Sequence, residues 1–479
     1  MRSGSLLGLF LLLGTLFLAY MSIPTVGENA CSVFNEIKPL QAGFGEADIT
    51  PAVEEGKTVY MAGFGHNRKA TKVHDPLKAR AVVLTHGDEK IALVAVDLVG
   101  YFLPNVEKVR ARLPGFNYVL VSSTHNHEGP DSMGLWGSNP FLSGVNADYM
   151  KLIENRIVAA VQAADKAARP VSARYGSARD AALVRDNREP YVKHDELAAL
   201  EFRDEDDKPA GLIVQWNCHP ETLGSKNTEL SADFVGYTVS YLEKQRGCPV
   251  VYFTGTVGGL LTTLGLEVKD EAGRPLEDGT FAKTERYGQQ VGKLAERALA
   301  NAQPVTLTPF DIKKRDVYLP LANRLYLLAR QLKVVERQAY RWTGDIYQAK
   351  PAEANEVKEL CLRTEIAWLK LGELEIAALP GEIYPELVLG GVQDPADPGA
   401  DFSDAAIEPI VYQQLTAKKR MLIGLANDEL GYIIPKRQWD EKPPYCYGRK
   451  RSQYGEINSV GPETAPILCR AFKELRGRK

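Results

Sequence analysis

Short runs of β-branched and aliphatic residues alternate along the chain with longer stretches of helical periodicity. The apolar runs at 81–85, 91–96, 118–122, 212–216, 250–253 and 374–378 predict strands. Apolar positions three and four apart predict helices over 104–113, 146–168, 231–245 and 284–301. The acidic turn DEDDKPAG at 204–211 predicts a hairpin into 212–216, so antiparallel pairing joins the parallel kind. The expected class is therefore α/β: one large domain of mixed β-sheets flanked by helices. The polar, Tyr- and Arg-containing stretch 321–365 reads as a helical insertion or lid. Neither an internal repeat nor a long Gly/Ser linker divides the chain.

One segment departs from this pattern. Residues 6–23, LLGLFLLLGTLFLAYMSI, carry no charge and follow Arg2. Residues 1–30 thus read as a signal peptide or an N-terminal signal anchor, which places 31–479 outside the cytoplasm, secreted or periplasmic. The remaining composition is ordinary: 58 Lys+Arg against 61 Asp+Glu leave a net charge of −3 in 479 residues. That balance excludes a generally basic nucleic-acid binder. Six cysteines in an exported chain permit disulfides, but there is no CxxC and their spacing assigns no pair. Thiolate zinc clusters are disfavoured for the same reason, so a metal here would take His and oxygen ligands.

The chemistry gathers at strand ends. The run 118–122 leads into Thr124-His125-Asn126-His127-Glu128-Gly129-Pro130, and in extended chain His125 and His127 point the same way. The run 212–216 leads into Asn217-Cys218-His219-Pro220-Glu221. Either motif alone is compatible with loop histidines bonded to backbone. With seven histidines in the chain, three directly after buried-looking strands point to a site, because α/β folds carry their sites at those ends. No GxSxG elbow is present, which disfavours a serine triad.

Five motifs stand in one order: AGFGEADITP (42–51), SSTHNHEGPDS (122–132), Asn187-Arg188-Glu189-Pro190, QWNCHPETLGSKNTELSADFVGY (215–237) and LPGE (379–382). Together they resemble the neutral, non-lysosomal ceramidase family, from about residue 41 to 473, which is that family's catalytic domain. Its separate C-terminal immunoglobulin-like domain is not expected in this chain.

The resemblance implies a zinc-dependent amidase that cuts the N-acyl bond of ceramide to sphingosine and fatty acid, with one Zn²⁺ per chain. It implies His125, His219, Glu382 and Tyr432 as metal ligands. His127 is implied as general acid/base, and Arg188 and Tyr454 as donors to the oxyanion, with Tyr445 and Tyr447 close enough in sequence to compete with Tyr454. Asp233 and Glu128 are expected to accept hydrogen bonds from the ligand histidines. The implied partner is a lipid such as ceramide at a membrane or micelle surface. Departures are visible too. Glu128-Gly129-Pro130-Asp131 replaces the family's Ser-Gly-Pro and adds negative charge, and 254–261 lacks the Asp and Ser of the family's Gly-Asp-x-Ser-Pro. Two alternatives stand beside ceramide hydrolysis: a zinc hydrolase of another N-acyl or ester substrate of the cell envelope, and a non-catalytic envelope protein that keeps the fold.

Overall fold

The computed structural model describes residues 38–353 and 356–477. The expected signal or anchor segment and Cys31 lie outside the described residues. Three mixed sheets carry the chain. In the first, Gln41–Asp48, Lys78–His86 and Glu89–Val96 pair antiparallel in succession, and Tyr118–Ser123 joins parallel to Glu89–Val96. In the second, Ser172–Arg179, Glu196–Arg203 and Pro209–Trp216 are antiparallel neighbours, and Val250–Thr254 lies parallel to Pro209–Trp216. In the third, Phe310–Pro320 and Leu374–Ala378 flank Leu360–Leu371, and Lys419–Ile423 runs parallel to Leu374–Ala378. Each parallel pair needs a crossover, which the predicted helices supply in the first two sheets as Leu103–Ala111 and Asp233–Arg246.

The strands that lie inside read as unbroken apolar runs because both of their faces are covered. Tyr118–Ser123 is buried at every position. One core joins all three sheets, with Leu93 and Leu120 from the first, Leu200 and Phe253 from the second, and Leu369 and Ile376 from the third. On the far side of the first sheet, Ala147–Lys166 lays Ile153, Ile157 and Val161 against Val83 and Val94. Phe281–Ala300 and Asp233–Arg246 cover the second sheet through Val239, Leu242, Val291 and Leu294. Leu468 and Phe472 of Thr464–Gly477 close the third. No helix among the described residues is long and apolar enough to cross a membrane.

The stretch 321–365 differs from the helical expectation. It holds one helix, Arg324–Gln331, followed by Ala339–Arg341, Lys350–Pro351 and the start of Leu360–Leu371. The long central strand offers an open ladder beside Ala339–Arg341, and pairing Ala339 with Leu362 overrides the weak helical pattern of the polar residues.

The sheets meet at the strand ends. Thr254 donates its hydroxyl to the Thr124 carbonyl at 2.7 Å, Gly424 N–H donates to Thr254 O at 2.8 Å, and Asn427 N–H to Val121 O at 2.7 Å. Loops from three sheets are thereby stitched around one point.

Candidate active site

His125 follows the first of these strands and adopts φ 67°, a left-handed conformation that a non-glycine residue takes only when its surroundings impose it. Its Nδ1 lies 2.8 Å from the Val99 carbonyl, and Nδ1 of His219 lies 2.9 Å from the Leu261 carbonyl. A carbonyl only accepts, so both imidazoles carry their proton on Nδ1 and present a lone pair on Nε2. Those two Nε2 atoms converge on one oxygen of Glu382, at 3.3 Å for His125 and 3.0 Å for His219. Three lone-pair atoms directed at a common point repel unless a cation sits among them. The donor chemistry therefore fits a metal ion. His125, His127 and His219 also offer ligand nitrogens within 4.8 Å of one another, all buried, so the group could hold one.

The carboxylate end is fixed by backbone. Glu382–Ile383 pairs parallel with Tyr432–Ile433, which sets Glu382 beside Tyr432. The turn before Tyr432 needs Gly431: its φ is 72°, and a Cβ there would stand 1.6 Å from Asn458 O. The Tyr432 ring is buried 6.4 Å from that of His219. Burial, and then Glu382, push its phenol pKa well above 10, so it is neutral until a cation arrives. Burial raises the Glu382 carboxyl, but His125 and His219 outweigh it and hold the group ionised.

His127 is different. Neither ring nitrogen has a hydrogen-bond partner although the side chain is buried. Phe64 meets the ring edge-on at 5.0 Å, and Gly63 leaves no room for a Cβ, which would fall 2.4 Å from the imidazole. Arg68 fixes the backbone by donating to the carbonyls of Ala62 and His127. Burial, reinforced by His125, His219 and Arg68, drives the His127 pKa well below 6.5. The ring is thus a neutral proton acceptor aimed at the cluster.

Sequence reasoning passed over its neighbour. Glu221 lies with one carboxylate oxygen 3.5 Å from His127 Nδ1 while the other accepts the Thr262 hydroxyl. The signal was in the His219-Pro220-Glu221 motif, where a tight turn carries the residue after the proline back toward the histidine. Glu221 N–H donates to His219 O at 3.0 Å in that turn.

Other expected roles fall out differently. Glu128 and Asp233 do not accept from His125 and His219, whose Nδ1 protons go to main-chain carbonyls. Glu128 pairs with Arg68 at 3.1 Å and accepts from Asn227 at 2.8 Å, so the charge foreseen beside the site is neutralised. Asp233 caps its own helix through Phe234 N–H at 2.6 Å and braces the 219–223 loop through Leu223 N–H at 3.2 Å. Asp131 takes the amides of Met133, Gly134 and Trp136 and shapes its own loop.

Among the competing tyrosines, Tyr454 stacks edge-on to Tyr432 at 5.9 Å, whereas Tyr447 donates to Gln393 at 2.6 Å. Arg188 sits one step back. Its guanidinium makes a bidentate pair with Glu456 at 2.6 and 2.9 Å and donates to the Tyr454 and Gln438 carbonyls at 2.7 and 2.9 Å. It holds the main chain of Tyr454 rather than standing free. Removing one member of so buried a pair strands the other's charge. Arg188→Met should lower stability by about 3–5 kcal/mol. Adding Glu456→Leu should recover most of that, as urea midpoints of the two variants would show; equal midpoints would contradict the pairing.

Fold and cluster together define an α/β domain with a group of residues that could hold a metal. Residues 40–257 match the family described as neutral/alkaline non-lysosomal ceramidase, N-terminal. Over that stretch the chain is similar to this family. The fold is also that of neutral ceramidase from Pseudomonas aeruginosa, with TM-score 0.69 and 19% identity over 92% of this chain and 74% of that one. A ceramidase solved in complex with C2 matches similarly, with TM-score 0.67, 20% identity and coverage of 92% and 75%.

Proposed function

We propose that the protein hydrolyses the N-acyl amide bond of ceramide or a ceramide-like lipid, releasing a sphingosine-type amine and a fatty acid. The observation that carries this reading is the convergence of two Nε2 lone pairs and a carboxylate oxygen, each fixed from behind by main chain. His125, His219, Glu382 and Tyr432 would hold a zinc ion, since imidazole and oxygen donors suit it. When bound, zinc supplies Lewis acidity to a water and to the scissile carbonyl at the same point.

The chain's own residues do the rest. Neutral His127 takes the proton of the attacking water and returns it to the departing amine nitrogen, so that the C–N bond breaks with a neutral leaving group. Glu221, with a carboxylate oxygen 3.5 Å from Nδ1, favours the tautomer that carries its proton there and leaves Nε2 free for the transfer. Tyr454 supplies a hydroxyl for the tetrahedral oxyanion, and its phenol, pushed up to about 12 by burial and by Glu382 and Glu221, stays a donor at neutral pH. Arg188 positions that tyrosine through its carbonyl. The site works outside the cytoplasm on a lipid presented by a membrane or micelle.

The test pairs metal analysis of the purified full chain with hydrolysis of a fluorescent-acyl ceramide, with and without chelator. About one zinc per chain and chelator-sensitive cleavage are expected. Cleavage that survives complete metal removal would end this reading.

A further inference from the structure

Arg324–Gln331 is apolar on two sides. Tyr326 and Leu327 turn inward and pack on the core of the third sheet. Leu325 and Leu328, with Leu332 just beyond the helix, lie at i, i+3 and i+7, a single stripe, and are 55%, 42% and 44% exposed. Single exposed leucines are ordinary, but a stripe of three that continues into other exposed apolar groups is not. It does continue. Asn323 caps the helix and also donates to the Ile457 and Ser459 carbonyls, both at 2.8 Å, which ties the helix to the loop bearing the exposed Ile457 and Tyr454.

Between helix and loop opens a cleft of about 1070 Å³, lined among others by Leu325, Ile457 and Tyr454. Tyr454, which lines this cleft, also meets the Tyr432 ring edge-on at 5.9 Å, so one residue touches both the cleft and the candidate site.

The cleft's charge runs against that of the chain. Arg324, Lys442, Arg449 and Arg451 line it, and Lys450 stands exposed between the last two. Two acids share the lining: Glu456 is paired with Arg188, whereas Glu441, which accepts from the neutral Trp439 indole at 3.3 Å, keeps its charge and offsets one of the cations. Arg449 pairs with Glu189 at 3.1 Å, whereas Arg324, Lys442, Lys450 and Arg451 have no ion-pair partner among the described residues. In a chain of net charge −3 this is a local concentration of positive charge, not a consequence of composition.

An exposed leucine stripe rimmed by unpaired Lys and Arg has the make-up of an interfacial element, in which apolar groups enter the acyl boundary and cations meet anionic headgroups. We infer that Arg324–Gln331 and the 442–457 loop form a docking face for an anionic lipid bilayer, which sets the cleft mouth against the membrane that holds the substrate. The purpose of the face rests on the lipid-hydrolase reading; its existence does not.

Sedimentation of the full chain with limiting vesicles tests it, comparing phosphatidylcholine alone with a phosphatidylcholine/phosphatidylglycerol mixture. Any contribution of the N-terminal segment is common to all variants and cancels in their comparison. The unaltered protein should favour the anionic vesicles, and the preference should fall as salt rises from about 0.05 to 0.5 M. Lys450→Glu with Arg451→Glu should weaken binding to the anionic vesicles at least about tenfold and leave the neutral ones unaffected. Leu328→Asp with Leu332→Asp should weaken binding to both. All three proteins should cleave a short-chain, water-soluble N-acyl substrate at the same rate. Variants that bind both vesicles as the unaltered chain does would overturn the inference, as would binding to neither by the unaltered chain, the behaviour of a face built for a protein. Failure of all three to cleave the soluble substrate would instead count against the hydrolase reading, with the vesicle result still deciding the docking face.

Discussion

Glu382→Ala should abolish metal binding and lower kcat/KM by at least about a thousandfold, because it removes the oxygen on which both Nε2 atoms converge. The loss has a signature besides activity. A ligand that binds only the folded state stabilises it by RT ln(1 + [L]/Kd), about 4 kcal/mol at a thousand times Kd. The unaltered protein should therefore melt several degrees higher with added zinc, and Glu382→Ala should show no such rise. Without the carboxylate, His219 loses the partner that holds its pKa up against burial. The sign follows: a raised folded-state pKa contributes stability below the unfolded value and loses it as pH climbs through the folded one. The metal-free parent should then gain stability on acidification through the histidine range relative to Glu382→Ala, and identical pH–stability curves would deny the His219–Glu382 contact. His125→Ala should reproduce the loss of metal and activity.

The parts of this site that were legible in sequence are those that depend on the end of a strand. His125 and His219 could be found because continuous apolar runs announce buried strands, and the residues just past such strands have few places to go. The paired sheets of the first half were legible for the same reason. What was hidden depends on contacts between distant segments. Arg188 and Glu456 meet across 268 residues, and nothing local marks either as buried. Arg68 neutralises Glu128 from a separate loop, which turned an apparent excess of charge into a balanced pair. Carboxylates are the expected acceptors for the Nδ1 protons of His125 and His219, yet the acceptors are the main-chain carbonyls of Val99 and Leu261, which every sequence contains and none advertises. The segment 254–261, read for missing Asp and Ser side chains, contributes through its backbone instead. Leu261 O orients His219, and Gly258 lets the loop pass where a Cβ would fall 2.6 Å from Tyr384 N.

Proton transfer should be separable from metal binding. His127→Ala should retain zinc at the parental level and lose about 10²–10⁴ in kcat, since positioned acid/base groups contribute that much and His127 makes neither of the two contacts to the Glu382 oxygen. Glu221→Gln asks a finer question. Glutamine keeps the volume and the contact with the Thr262 hydroxyl but removes the negative charge 3.5 Å from Nδ1. A partner acceptor of this kind is worth about 10–100-fold. The expected kcat loss lies in that range, with zinc content and melting point unchanged. The direction of the pH shift is fixed by charge. Burial, with His125, His219 and Arg68, already holds the His127 pKa below 6.5, and negative charge on Glu221, 3.5 Å from Nδ1, would oppose that. Its removal lets the pKa fall further, so the acid limb of the kcat profile should move to lower pH while the plateau drops. A plateau that drops with the limb unmoved would mean that Glu221 orients the ring without setting its charge. Loss of zinc in Glu221→Gln would make Glu221 a metal ligand instead and would return the proton to another group.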